Sequence, residues 1–536
     1  MFAQSLNPLG NYLFTAVVAL IPLAVLLGAL VGFKVSAWLA TIIGSAVTLL
    51  LAITVWHAPI GDSMRSYLFG ALTGIWAVDW ITFWGLVLFN TLNATGVFQK
   101  FQQWLVHEAT SDVRVQAILL AWALGALLEG LVGFGYPWAV VAPVLIGLGI
   151  PDLEAIRVAA IANNAPVSYG ALGAPIIALA AITGFPLLAL SASVGKVVAI
   201  LALLPPWILI YLVSGWKGVR GGWPLAVVGS LAYIAGQFPV SQFLGPYLPD
   251  IAGAIVSFAA LFLLLRVWRP ATTLGYGGVP LPGEQSRDRR GGSGLSRRDL
   301  LQAWMPFIVL IVVVVLWTGP WSPLPGVSWF KASVGAISSV SHQPALSVFN
   351  FAPFIGGTSI LVSWIIVTLL LRPSREQLGG IFRKTFHQMW GALLVGLFIF
   401  GLAYVYNFSG MAASLAEAFS KLGTIFIVLA PVLGWIGVAL SGSNTSTNAM
   451  FGTVQALVGK LLGFPALLLP TLNSVGAEIG KPIAPQTASV GVSTSRFVRN
   501  EGEVIRHNMG WTIFLLGYLI LIGVLIYLLV PGWMRG

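Results

Sequence analysis

An all-α polytopic membrane protein of about twelve crossings, with two re-entrant helical hairpins and two broken helices in an inverted repeat, is the fold class this sequence predicts. Three observations carry that expectation. Of 536 residues, 58% are apolar and 8% charged, whereas soluble globular chains average about a quarter charged. The uncharged stretches 158–195, 300–330 and 385–416 each exceed the roughly 20 residues that cross a bilayer as a helix. Finally, two otherwise apolar regions are interrupted in mid-membrane by Gly, Pro and polar residues in the same order.

Segments near 12–33, 36–55 and 67–95 read as full helices, the first two separated by Lys34 and the third followed by Lys100 and Arg114. With Lys34 cytoplasmic, the N-terminus lies outside. No Lys or Arg precedes Lys34, so the n-region of a cleavable signal is missing and the first helix is expected to stay. Lys217 and Arg220 fall inside, and 223–241 with 249–267 form a pair returning to the cytoplasm. Between 266 and 299 the residues Arg266, Arg269, Arg287, Arg289, Arg290, Arg297 and Arg298 lie in a Gly/Pro/Ser-rich setting, the composition of a flexible cytoplasmic linker. Helices near 302–319, 347–371 and 388–408 follow, with Arg372, Arg375, Arg383 and Lys384 inside. The last, about 510–531, starts from Arg496, Arg499 and Arg506 and ends outside.

The first interrupted region runs Gly125 to Pro137 through Glu129, Gly133 and Gly135, turns at Pro151-Asp152, and reaches Asn163-Asn164, Ser168 and Gly173 to Ile176. The second runs Leu440 to Asn448, turns at Gly463 to Pro465, and reaches Asn473-Ser474 and Gly480 to Ile483. If each first half is a hairpin and each second half a broken helix, the positive-inside count closes. Hairpin one then enters from the cytoplasm and hairpin two from outside. Residues 1–213 form the first repeat, 214–300 two joining helices and the basic linker, and 301–536 the second repeat. The hairpin and broken-helix cores are about 116–187 and 424–495. Small residues also serve close helix packing, the competing explanation for each glycine alone. Non-helical backbone at this depth survives only where protein or a water-filled cavity satisfies it, and inverted repeats with broken helices are an architecture of secondary transporters.

Most of the sixteen acidic residues lie in loops, but Asp79, Glu129 and Glu478 sit in apolar surroundings. An ionisable group at membrane depth is by default a functional hypothesis. Burial favours the neutral form of a carboxyl, the behaviour a reversible proton carrier needs. Glu129, among Gly130, Gly133 and Gly135, is the first candidate for coupling against a purely structural hydrogen-bonded role, and Asp79 the second. Glu478 lies three residues before Lys481, so in a helix the two share a face and can neutralise one another. Alternatively Lys481 supplies positive charge to an anionic substrate while Glu478 tunes it. Ser443, Asn444 and Thr445, inside the polar run 443–448, read as a hairpin tip. Short polar side chains, backbone N–H groups and half-helix ends there can hold a carboxylate. Asn163, Asn164 and Ser168 face it from the other repeat.

The absence of Cys removes disulfides, thiolate metal sites and Fe–S clusters. No metal site or cofactor is expected, with protons the expected coupling ion if Glu129 is the carrier and sodium the alternative. The +11 net charge follows the short inside loops and forms no basic domain, so the partner is the lipid bilayer and not nucleic acid. There is no G-x-x-x-x-G-K-[ST], no G-x-G-x-x-G and no H-E-x-x-H, and no Ser/His pairing at membrane depth. These absences disfavour an ATP-driven pump and an intramembrane enzyme.

Four tracts, 125–137, 161–166, 441–448 and 474–485, together resemble the lactate permease family, the bacterial L-lactate and glycolate permeases, over the whole chain. The resemblance implies proton-coupled symport of L-lactate and related 2-hydroxymonocarboxylates such as glycolate, in the bacterial cytoplasmic (inner) membrane. Ser443-Asn444-Thr445 also looks like the hairpin-tip Ser-Asn-Thr of the more distant divalent-anion/sodium symporters, an ion-transporter-superfamily-like fold in which a transport domain moves against a scaffold. The first repeat carries Glu129-Gly130 at that tip instead, a departure that suits a proton in the cation's place. A sodium-coupled carboxylate symporter and an anion channel are the alternatives.

Overall fold

The computed structural model describes residues 1–536 apart from 34, 109, 134, 282–295, 497, 499 and 536. Lys34, Arg287, Arg289, Arg290 and Arg499, on which the expected sidedness leans, therefore lie outside the described residues, as does Phe134 of the first tip.

In chain order the elements are β1 (Phe2–Ala3), α1 (Tyr12–Val31), α2 (Ala37–Thr54), α3 (Ile60–Ala94), α4 (Val97–Glu108), α5 (Val113–Leu131), α6 (Tyr136–Gly147), α7 (Asp152–Ala162), α8 (Gly170–Thr183), α9 (Leu187–Leu201), α10 (Pro205–Phe243) and α11 (Pro249–Val267). Then come α12 (Arg297–Thr318), β2 (Phe330–Ile337), β3 (Pro344–Phe351), α13 (Gly356–Leu371), α14 (Arg375–Ser409), α15 (Met411–Ser420), α16 (Phe426–Ser441), α17 (Asn444–Leu462), α18 (Leu468–Gly480), α19 (Pro485–Thr494) and α20 (Glu501–Leu529). Among the described residues, 10 helical segments are long and apolar enough to cross a membrane, or 11 if the bent pair Asp152–Ala162 and Val167–Thr183 counts as one. One of these, Leu187–Phe243, has 57 residues. At about 1.5 Å per residue it would be roughly 85 Å long, more than twice a hydrocarbon core of roughly 30 Å. It includes the turn between α9 and α10, and α10 itself breaks at Gly215, with φ 64° and ψ −169°.

The fold is mostly helical, not all-α. β2 and β3 pair antiparallel from Phe330↔Phe351 to Ile337↔Pro344, and β1 adds to β2 in parallel. Val334 and Ala336 turn inward while Lys331 and Ser333 face out, the period-2 pattern of a half-buried strand. The helix expected over 347–371 therefore begins only at Gly356. A Ser66–Ser347 hydroxyl contact of 2.8 Å docks this sheet on α3. The third helix also starts earlier than residue 67, and what reads as a loop after it forms α4. There Phe98, Phe101 and Leu105 make a buried stripe, and Lys100 pairs with Asp299 at 2.6 Å.

α5 has no lipid face: its spanning window is entirely buried, as is every residue of α18. Around this centre α8 packs on α17, α16 on α18, and α10 on α11, while α2, α3 and α14 form an adjoining wall. The order helix, Gly-bearing tip, helix, turn, helix, break, helix recurs in α5–α8 and in α16–α19.

Candidate functional site

α5 delivers Glu129 to a tip where Gly133 (φ 67°) and Gly135 (φ 74°) turn the chain, a left-handed conformation that glycine adopts without cost. The opposing break is tighter. Ala171 (φ 48°), Leu172 (φ 57°) and Gly173 (φ 84°) follow one another in the left-handed region, unusual for residues with a Cβ and a pattern that clusters at functional sites. Gly170 just before them is needed for space: a Cβ there would lie 2.5 Å from Glu129 Oε1.

In the second core, Gly442 (φ 73°) ends α16 and Ser443 caps α17, its hydroxyl accepting from the Ser446 N–H at 3.2 Å. The N-terminus of a 19-residue helix thus opens at the tip, with its positive end and free N–H groups. Asn444 Nδ2 donates to the Ser474 carbonyl at 3.2 Å, while its Oδ1 is buried without a partner. After Gly480 the helix tightens into a 3₁₀ turn over Lys481–Ile483, and the chain restarts at Pro485.

Each of two buried acids is held from the opposite core. Lys481 Nζ lies 2.5 Å from Glu129 Oε1, with side chains 7% and 2% exposed, and Asn163 Nδ2 donates to Glu129 Oε2 at 3.1 Å. Reciprocally, Ser168 donates both its N–H, at 3.1 Å, and its hydroxyl to Glu478 Oε2. The expected alternative of a Glu478–Lys481 pair is therefore corrected. The turn of Lys481 out of the α18 helix sends its ammonium to the other half of the chain. Polar ladders continue behind, with Asn448 Nδ2 donating to the Pro175 carbonyl at 3.0 Å and Asn473 Nδ2 donating to Asn448 Oδ1 at 3.1 Å.

A cavity of about 420 Å³ lies between these cores and the wall of α2, α3 and α14. Its core side presents Glu129, Lys481, Ser443, Asn444, Thr445, Gln486 and Thr487. Its wall side presents Asp79 and Thr82. Asp79 ends a π-helical stretch of α3, Gly74–Asp79, and its carboxyl lies over Gly396, where any Cβ would collide with it. It is 6% exposed, and its Oδ2 has no hydrogen-bond partner. π-bulges of this kind are frequent at functional sites. Asn163, Asn164, Ser168 and Glu478 do not line the cavity. They stand behind it, fully or nearly buried, where Asn163 and Ser168 hold the two acids. Neither amide atom of Asn164 has a partner.

Three residues of this neighbourhood escape a sequence reading. Gln486 and Thr487 follow the second break in the Ala484-Pro485 tract, and Thr487 donates to the Lys481 carbonyl at 3.0 Å. Asp250, after Leu248-Pro249, looks like an ordinary acidic first-turn residue, yet it is 1% exposed and accepts from the Tyr233 hydroxyl at 2.8 Å.

The arrangement can exchange a carboxylate and a proton around one buried ammonium. The family model described as L-lactate permease matches residues 15–531. The chain is 33% identical over 532 residues to the glycolate permease GlcA of Escherichia coli (strain K12), covering 95% of each. It is 31% identical over 543 residues to the L-lactate permease of Bacillus subtilis (strain 168), covering 96% of each. Among solved structures it is similar to the YdaH transporter of Alcanivorax borkumensis, with 17% identity, a TM-score of 0.48, and 89% of this chain and 90% of that one covered.

Proposed function

Since the chain belongs to the L-lactate permease family and is a multi-pass membrane transporter rather than an enzyme, we propose that it takes up L-lactate and related 2-hydroxymonocarboxylates such as glycolate by symport with a proton across the bacterial cytoplasmic (inner) membrane. The observation that carries this reading is the Lys481–Glu129 pair at the cavity edge, beside the Ser443-Asn444-Thr445 tip. An entering carboxylate competes with Glu129 for the ammonium, helped by the N-terminus of α17 and the hydroxyls of Ser443 and Thr445. The released Glu129 takes a proton. Before loading, one cation balances one carboxylate. After loading, the same cation balances the substrate while Glu129 is neutral, so the loaded and empty sites carry equal charge. An uncompensated carboxylate in hydrocarbon would face a large barrier and the inside-negative potential, and pairing each anion with a proton removes both. The unpartnered Asn444 Oδ1 is an acceptor suited to the 2-hydroxyl of such an acid. Asn163, Asn164, Ser168 and Glu478 support the site from behind, and Asp79 on the facing wall relays the proton to and from Glu129, so that the two carry one proton between them.

The matching order of parts in α5–α8 and α16–α19 supports reading residues 1–213 and 301–536 as inverted repeats, joined by 214–300. In this reading the two tips are re-entrant, about twelve crossings result and both termini lie outside. The test is uptake of labelled L-lactate into proteoliposomes under a pH gradient or a sodium gradient alone, for wild type and Glu129→Gln. The reading expects uphill accumulation with the pH gradient only, and exchange without accumulation in the variant. Sodium-driven uptake, downhill conductance without accumulation, or normal accumulation by the variant overturns it.

A further inference from the structure

Behind the Lys481–Glu129 pair lies a carboxyl contributed by the first turn of α11, one of the two helices that join the halves of the chain. Gly130, the residue after Glu129, has no side chain, and that gap is filled by Asp250: a Cβ at Gly130 would stand 2.8 Å from the Asp250 Cβ. One turn on, Gly253 lets the Tyr233 ring of α10 lie against α11, 2.7 Å from where a Cβ would be. This seats the Tyr233 hydroxyl on Asp250 Oδ1 at 2.8 Å. Asp250 Oδ2 is buried with no partner. The groups acting on Asp250 and its tyrosine are Glu129 of α5, Tyr169 of the first break, Tyr233 of α10, Glu478 of α18 and Lys481. Lys481 is the one cation among them.

We propose that Asp250 is a second proton-holding carboxyl of the transport site, which must carry a proton whenever the substrate anion is bound. The proposal rests on the symport reading and extends it. Once a substrate carboxylate takes Lys481, no cation among the groups named is left for the acids around it. Glu478 and Asp250 each have one bare oxygen, but Glu478 keeps two donors from Ser168 on the other and Asp250 only the Tyr233 hydroxyl, so of the two the Asp250 anion is the less compensated. Neighbouring carboxyls that interact strongly titrate as a set and cannot all ionise together. Substrate binding is then linked to one proton, on Glu129, at pH values where Asp250 already holds its own. It is linked to two protons once the pH passes the point at which Asp250 of the empty site gives up its own, because Asp250 must then regain one. Each step adds a proton to a carboxylate oxygen and changes no other bond.

The number of linked protons is read from the slope of log Kd against pH, measured as equilibrium binding of labelled L-lactate to purified protein in nanodiscs between about pH 5 and pH 9. The expected wild-type slope rises from one toward two at the alkaline end. Asp250→Asn, which can still accept from Tyr233, keeps a slope of one throughout. Tyr233→Phe, lacking the donor that stabilises the Asp250 anion, moves the change of slope to higher pH. A wild-type slope fixed at one, or an Asp250→Asn slope that still rises to two, overturns the proposal while leaving symport intact. A wild-type Kd independent of pH overturns the symport reading itself.

Discussion

Removing the ammonium from the Lys481–Glu129 pair while keeping its carboxylate should damage the fold more than removing both charges. Both side chains are nearly free of solvent contact, at 7% and 2% exposure, so water cannot screen the survivor. Deleting one partner of a buried ion pair typically costs about 3–5 kcal/mol, because the remaining charge is stranded, whereas replacing both by neutral groups of similar size is often close to neutral. In Lys481→Met the Glu129 Oε1 loses its only donor among the described residues, of which Asn163 alone holds the other oxygen. The double variant Glu129→Gln/Lys481→Met strands no charge, and its Asn163 contact survives through the glutamine carbonyl. The apparent Tm of purified protein, read by intrinsic tryptophan fluorescence on heating in detergent, should fall by several degrees for Lys481→Met and recover most of that loss in the double variant. Neither variant should accumulate lactate. A wild-type Tm for Lys481→Met, or a double variant that falls at least as far as the single one, would refute the claim that a buried mutual ion pair holds this site together.

Asp79→Asn removes a carboxyl whose Oδ2 makes no hydrogen bond in the protein, so thermal stability should hold or rise while pH-gradient-driven uptake falls. A loss of Tm comparable to that of Lys481→Met would show that Asp79 has a structural partner instead. Gly170→Ala places a methyl 2.5 Å from Glu129 Oε1 and must push that carboxyl off the ammonium. Overpacking of this kind costs about 1–3 kcal/mol, and accumulation of labelled lactate in proteoliposomes should drop at least tenfold, about 1.4 kcal/mol in free energy. Uptake within twofold of wild type would mean that the backbone at this break yields freely.

What a linear reading detects here is contrast against an apolar background. Glu129, Asp79, Lys481 and the Ser443-Asn444-Thr445 run stand out because polar groups at membrane depth are costly, and both breaks stand out because Gly and Pro interrupt long apolar runs. Who pairs with whom is a different kind of information. Local spacing makes Glu478 and Lys481 neighbours, and a single 3₁₀ turn after Gly480 sends the lysine to Glu129, 352 positions away. Asp250 hides because a helix-starting acid after a proline is ordinary at a membrane surface, and only the missing side chain of Gly130 brings it inward. The sheet escapes because its strands alternate in short runs beside much longer apolar segments, and α4 because its buried stripe is short and interleaved with polar residues.

The reciprocal ties between the two cores bear on how the chain is made. Glu129 is synthesised 352 residues before Lys481. At about 5–20 residues per second, the ribosome leaves that carboxyl without its partner for roughly 18–70 s. During that interval the first core has Glu129, Asn163 and Ser168 in place, but neither the ammonium that one accepts from nor the carboxylate that another donates to. Until α18 arrives, α5–α8 must therefore either hold Glu129 protonated or keep it in a wet or sheltered position, and a chain released before residue 481 never gains the ammonium.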